Sequence, residues 1–208
     1  MKLSEIFLSI QGESTFSGLP CIFIRLAECN LRCNYCDSTY SYQTKFNLTV
    51  EEVVTKLQEF LPVKLVEITG GEPLLQAEVY QLFSQLAAKG YQVLLETNGS
   101  VNLRQVPKFV HKIVDIKCPD SGEGESFLPD NVPYIEPQRD EVKFVLSSQA
   151  DYLWMKKQLQ KYQIMDRKIL LSCVFGRLDP QNLIEWVLAD RLPVRVQLQL
   201  HKYIWDPA

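Results

Sequence analysis

Histidine is almost missing from this chain: His111 and His201 are the only two among 208 residues. A zinc site closed by four Cys and His ligands has little histidine to draw on. No cluster of Lys and Arg stands out, and the net charge is −3. Together these argue against a nucleic-acid or anionic-membrane partner. No apolar run approaches the roughly 20 residues of a membrane span. The opening Met1-Lys2-Leu3-Ser4-Glu5 lacks the apolar core of a signal peptide, so a cytoplasmic location is expected. Repeats, low-complexity tracts and linkers are missing too. The length suits one domain over residues 1–208 and leaves too little chain for two.

Strand-like and helix-like segments alternate. Residues 21–26 are β-rich and lead into a cysteine loop. Thr49 with Glu52 forms a capping box before a helix whose apolar face is Val53, Val54, Leu57 and Phe60. A second strand over 63–69 ends in Gly70-Gly71-Glu72-Pro73, and a helix from about Gln76 stops at Gly90. Further strands are expected over 91–97, 110–116, 141–146, 168–174 and 194–200. Helices are expected after the caps Ser148 and Asp179-Pro180. Residues 120–140, rich in Gly, Pro and acid, read as a long loop of the kind that is functional or mobile. Alternation of this sort argues for a parallel sheet. A closed eight-fold barrel usually needs about 250 residues, so the expected fold is α/β, an open, partial β/α barrel with a reduced helix complement. Its polar motifs fall just after strands, on the edge where α/β folds bind ligands.

Six cysteines in a small secreted protein would suggest disulfides. Here Cys29, Cys33 and Cys36 crowd into one loop, Glu28-Cys29-Asn30-Leu31-Arg32-Cys33-Asn34-Tyr35-Cys36, which points to metal instead. Three thiolates in one loop can hold three irons of a cubane and leave the fourth open. A structural zinc site would need a fourth ligand nearby, and none is present. Cys21, Cys118 and Cys173 read as core thiols, with Cys118 the nearest to the ligand-binding edge. Glycines at 70 and 71 let the backbone approach a neighbour closely, and Glu72 can accept hydrogen bonds from an ammonium group. A plain turn is the bland alternative. Arg25 lies among Phe23, Ile24 and Leu26. A charge in so apolar a strand needs a partner, and arginine suits a carboxylate.

The cysteine spacing, with Tyr35 just before the third cysteine, resembles the radical S-adenosylmethionine (SAM) superfamily. The fuller set resembles its 7-carboxy-7-deazaguanine synthase family. The matching pieces are Gln11-Gly12-Glu13, Phe23-Ile24-Arg25-Leu26, the cysteine loop with Asp37-Ser38, Gly70-Gly71-Glu72-Pro73, Glu96-Thr97-Asn98-Gly99, Val142-Lys143-Phe144 and His201-Lys202-Tyr203. Ser14 and Ser38 depart from the Gly and Thr often found at those positions. The resemblance implies a [4Fe–4S] cluster on Cys29, Cys33 and Cys36. It implies SAM contacts at Tyr35, Cys36, Asp37, Gly70, Gly71, Glu72, Asn98 and Gly99, and at Asp115, Ile116 and Lys117. Substrate contacts are implied at Ile10, Gln11, Gly12, Arg25, Thr69 and Pro207, with Mg2+ on Ser38, a hard oxygen that suits such an ion.

The implied reaction converts 6-carboxy-5,6,7,8-tetrahydropterin to 7-carboxy-7-deazaguanine and ammonia, a carbon–nitrogen lyase step in queuosine and deazapurine synthesis. A 5′-deoxyadenosyl radical takes a hydrogen from the substrate and SAM is regenerated. A flavodoxin-like electron donor and a homodimer are implied partners. His201 reads equally as a site residue or a structural histidine. A glycyl-radical-enzyme activase, with similar spacing and size, is the alternative enzyme. A zinc-dependent interaction module is the alternative outside enzymes.

Overall fold

Successive side chains of a strand point to opposite faces, and that period divides this molecule into two layers. The computed structural model describes residues 1–205. Its strands are β1 (Lys2–Ile10), β2 (Pro20–Leu26), β3 (Phe46–Asn47), β4 (Leu65–Gly70), β5 (Gln92–Thr97), β6 (His111–Asp115), β7 (Glu141–Leu146), β8 (Lys168–Cys173) and β9 (Arg195–Val196). They form one sheet in the order β3-β1-β2-β4-β5-β6-β7-β8-β9. From β2 through β9 the neighbours run parallel, while β1 runs antiparallel to β2 and β3 antiparallel to β1. The sheet does not close, as the sequence suggested: among the described residues β3 and β9 are its two edges.

The outer face carries Ile24, Ile68, Leu95 and Phe144 against the helices α1 (Val50–Lys56), α2 (Val79–Ala88), α3 (Gln149–Tyr162) and α4 (Pro180–Asp190). Each such large apolar side chain contributes about 1.5–3 kcal/mol when buried. α1 begins at the expected box, with Thr49 and Glu52 each bonding the other's backbone. The crossovers from β5 to β6 and from β6 to β7 contain only 3-10 turns, at Leu103–Gln105, Pro119–Ser121 and Pro129–Tyr134. These two crossovers are where the helix complement is reduced.

The structure adds to or departs from the sequence reading in three places. The N-terminal strand β1 was not anticipated; it pairs along β2 and brings Glu5 opposite Arg25. Residues 194–200 do not form one long strand. Only Arg195–Val196 pair with β8; Leu200 N–H then donates to the Gly12 carbonyl, 3.0 Å, drawing the chain off the sheet into α5 (His201–Ile204). Residues 120–140, read as a long functional or mobile loop, carry a 3-10 turn at Pro129–Tyr134 and are anchored by side-chain hydrogen bonds. Buried Asn131 accepts from Leu103 N–H and donates to the Gly99 and Val101 carbonyls, each at 2.9 Å, and Phe127, four residues earlier, is buried too.

Candidate active site

Three strand ends meet at one edge of the sheet. The loop after β2 carries the cysteines, all free and half-buried. It is tied down by its neighbours: Gly71 N–H donates to the Leu26 carbonyl and Glu72 N–H to the Glu28 carbonyl, 3.1 and 2.9 Å. Leu31 N–H faces Cys29 Sγ at 3.4 Å, and Asn98 Nδ2 from the β5 loop lies 3.9 Å from the same sulfur. Burial pushes the Cys29 and Cys33 thiols up, Cys33 to about 11, against the Leu31 amide at Cys29 and the Lys117 ammonium at Cys33. Among the described residues no three His, Cys, Asp or Glu side chains gather tightly enough for a single ion. A single zinc requires its ligands to converge on one point, whereas a cubane spreads three thiolates over three irons. Three free thiols on one anchored loop, with amide donors aimed at sulfur, fit that group.

The glycine loop is explained by contact with this cysteine loop. A Cβ on Gly70, which has φ +145°, would lie 2.1 Å from the Leu26 carbonyl oxygen, and one on Gly71 would lie 2.0 Å from that of Glu28. Only glycine allows so close a backbone approach. Glu72 is wholly buried. It accepts from Leu74 N–H (3.1 Å), the Thr97 hydroxyl (2.9 Å) and Asn98 N–H (2.8 Å), so it binds the β4 and β5 loops together. Sequence reasoning gave Glu72 to a ligand and did not foresee this internal role. Burial raises its carboxyl to about 7 against those three donors. Tyr35 donates to the Val145 carbonyl at 3.0 Å, and the Arg177 guanidinium lies 5.8 Å from its ring centre. A cavity of about 450 Å³ at the ends of β8 and β9 is lined by Cys173, Phe175, Arg177 and Gln199 among others. Through Arg177 it adjoins Tyr35.

The inner face of the sheet is layered. Its floor is apolar: Cys21, Phe23, Leu65, Leu94 and Ile113, with Phe7 and Phe16 against them. One pleat further along, the same face turns polar. Lys143 of β7 pairs with Glu13 (2.9 Å), Glu96 and Asp115 (3.5 Å). Asp115 also pairs with Lys117 at 2.8 Å, while its Oδ1 is buried with no protein partner. Gln11 donates to Glu67, and the Thr69 hydroxyl to Glu96 at 3.4 Å. Burial alone would raise the Asp115 carboxyl, but Lys117 and Lys143 hold it below its ordinary value. Burial, reinforced by Glu96, pushes Glu67 well above its own.

Arg25 lies on this face, its Nε donating to Glu5 at 2.7 Å; Tyr40 O–H donates to the same oxygen at 2.9 Å. Among the described residues its two terminal nitrogens make no hydrogen bond. The structure therefore brings Gln11, Gly12, Thr69, Asp115 and Lys117 to one polar layer, with Arg25 on the same face and Ile10 at the end of β1. Ile116 N–H donates to the Lys143 carbonyl, 2.9 Å, which fixes that segment. Asn98 and Gly99 form the β5 turn, where a Cβ on Gly99 would lie 2.8 Å from the Phe127 ring. Ser38 precedes the turn Thr39–Tyr42 without capping it, its hydroxyl 3.8 Å from Cys36 Sγ. Asp37 pairs with Lys202 at 2.9 Å, and His201 packs on Gly12, where a Cβ would meet its Nδ1 at 2.6 Å. Pro207 lies outside the described residues.

Sequence reasoning missed Glu67, and it quoted Glu96 and Lys143 only within matching motifs, without a role in the site. The signal was available: Glu67 stands between Val66 and Ile68, and Lys143 between Val142 and Phe144, the same charge-in-apolar-strand pattern that singled out Arg25.

An open, mostly parallel sheet with a three-cysteine loop after its first parallel strand defines a radical SAM protein, and residues 24–118 match the Radical SAM superfamily. A [4Fe–4S] cluster and SAM follow from that membership. The 7-carboxy-7-deazaguanine synthase of Koribacter versatilis is 44% identical over 222 residues, covering 100% of this chain and 98% of that one. The synthase of the same name from Chlorobaculum tepidum is 47% identical over 210 residues, covering 100% and 95%. The crystal structure of QueE from Escherichia coli superposes with a TM-score of 0.77 at 23% identity, covering 95% and 93% of the two chains, a likeness of fold. The chain belongs to the 7-carboxy-7-deazaguanine synthase family.

Proposed function

We propose that this chain converts 6-carboxy-5,6,7,8-tetrahydropterin to 7-carboxy-7-deazaguanine with loss of ammonia. The observation that carries the reading is the join of the cysteine loop to a polar inner layer bearing Arg25, in a chain 44% and 47% identical over its length to synthases so named. When bound, the cluster and SAM supply the hydrogen-abstracting radical chemistry. The chain's own groups bind and orient. Arg25, its Nε fixed by Glu5, offers its two free nitrogens to the substrate carboxylate. Ile10, Gln11, Gly12 and Thr69 offer hydrogen-bond groups to the flat ring. Tyr35, Cys36, Asp37, Gly70, Gly71, Glu72, Asn98, Gly99, Asp115, Ile116 and Lys117 frame SAM, and the unpartnered Asp115 Oδ1 is one acceptor available there. Ser38, whose hydroxyl is not used as a cap, gives an oxygen to Mg2+ at the substrate carboxylate. Pro207 belongs to the same proposal by resemblance alone. The product enters queuosine or related deazapurine synthesis, and the enzyme works in the cytoplasm as a homodimer with a flavodoxin-like electron donor. No helix among the described residues is long and apolar enough to cross a membrane.

Anaerobically reconstituted protein, given the pterin, SAM, Mg2+ and a reductant, should release 7-carboxy-7-deazaguanine and ammonia in equal amounts. Ser38→Ala should blunt the Mg2+ stimulation. SAM cleavage with the pterin untouched would overturn the substrate and leave the activase reading, in which a partner protein's backbone is attacked.

A further inference from the structure

The segment 11–15 rests on three inward-facing side chains from the strands beneath it. Gln11 donates to Glu67 of β4, Glu13 pairs with Lys143 of β7 at 2.9 Å, and Thr15 donates its amide and hydroxyl to Glu141 of β7. Alternate residues make these contacts although the segment bends, with Ser14 at φ +63° and a turn over residues 15–18. Among the described residues Glu67 has no salt-bridge partner, and Glu141 also contacts His111 at 3.1 Å. Lys143 differs from both. Its ammonium has three N–H donors, and three carboxylates face it: Glu13, Glu96 and Asp115. Its side chain is only 4% exposed. Its carbonyl accepts from Ile116 N–H, 2.9 Å, beside Asp115 and Lys117. One residue thus joins the segment 11–15, the end of β5 and the 115–117 segment.

We propose that Lys143 is a positioning residue: through Glu13, Glu96 and Asp115 it fixes the substrate-binding segment relative to the SAM-binding segment. The inference rests on the functional reading above. Radical chemistry makes such registration matter, because a reactive species formed away from its target is lost to side reactions, and small displacements at a reacting centre lower rates steeply. Replacing Lys143 by an uncharged side chain leaves the buried Asp115 and the partly buried Glu13 and Glu96 carboxylates without their shared cation, with Lys117 the one ammonium among the described residues still paired to Asp115. Glu13 is the freest of the three to withdraw, since it lies on a loop and its other oxygen already accepts from Gln199 at 2.9 Å.

The test compares cluster-loaded wild type with Lys143→Gln and Lys143→Arg. Iron content and the SAM-induced change in the reduced cluster's EPR spectrum should match wild type in both variants. In Lys143→Gln the dissociation constant for the pterin should rise by about tenfold or more, the effect typical of losing one partner of a desolvated ion pair. SAM consumed per product should rise as well, because the radical no longer meets its target. Lys143→Arg should recover part of both. If Lys143→Gln does not fold, Lys143→Gln combined with Glu13→Gln removes much of the charge imbalance; the same two defects in that protein support the proposal. Wild-type affinity and wild-type SAM-to-product ratio in either folded variant overturn it, and failure of the double variant to fold overturns it in favour of a purely structural ion pair. A wild type that shows the SAM response but neither binds nor converts the pterin overturns the functional reading and this proposal with it.

Discussion

Arg25 holds its Nε on Glu5 and leaves two nitrogens unpartnered among the described residues, in a strand otherwise given to apolar packing. Losing one partner of a desolvated charged contact typically costs about 2–5 kcal/mol in binding. At about 1.4 kcal/mol per tenfold, Arg25→Ala should weaken pterin binding well over tenfold, with cluster content unchanged. Arg25→Lys should rescue in part, since an ammonium lacks the two-pronged plane. Calorimetric titration of cluster-loaded protein in the presence of SAM reads this directly, and unaltered affinity in the Ala variant would remove Arg25 from the site. Glu72 permits a pH test. Its folded value of about 7 lies above the ordinary 4.5. Between those values the folded protein keeps a proton that the unfolded chain releases, so this carboxyl destabilises the fold progressively as pH rises through the window, then levels off. At about 1.36 kcal/mol per unit the span is roughly 3 kcal/mol. Urea unfolding of metal-free wild type and Glu72→Gln should show their difference moving by that order in favour of the variant between pH 4.5 and 7. A difference that does not change with pH contradicts the shift.

Elements were legible where a local rule sets them. The capping box at Thr49, the caps Ser148 and Asp179, and the apolar runs of β2, β4, β5, β6, β7 and β8 all act within a few residues. What escaped was set by distant partners. β1 exists through its pairing with β2, and the alternation over 194–200 was overridden when Leu200 and Gln199 bonded Gly12 and Glu13. The same holds for the site: the cysteine spacing is local and was readable, whereas the partners of Arg25 and Lys143, and the Thr97 and Asn98 partners of Glu72, lie 20 or more residues away in the chain. The 120–140 segment illustrates the cost of such non-local ties. Asn131→Ala would leave Leu103 N–H without its acceptor and the Val101 carbonyl without its donor, while the Gly99 carbonyl would keep Leu128 N–H. An unsatisfied buried group costs about 1–3 kcal/mol, so the variant should lose at least that much stability in chemical denaturation. A loss under half a kilocalorie would mean that Asn131 does not anchor the segment.

At the scale of the molecule, one open sheet separates two tasks. Its outer face and helices supply the core, and its inner face grades from apolar floor to charged layer to cysteine loop along the strand direction. That gradient leaves the reacting groups at the strand ends, held from below by buried ion pairs and from above by the turn into α5. The cysteine loop stands at the end of this gradient, and its role is read most directly from product formation from the pterin by anaerobically reconstituted wild type, by Cys29→Ala, Cys33→Ala and Cys36→Ala, and by Cys21→Ala and Cys173→Ala. Wild type and the last two variants should form 7-carboxy-7-deazaguanine, and the three loop variants should form none. Product from any loop variant would contradict a cluster held by these three cysteines, and none from wild type with a full cluster would contradict the proposed reaction.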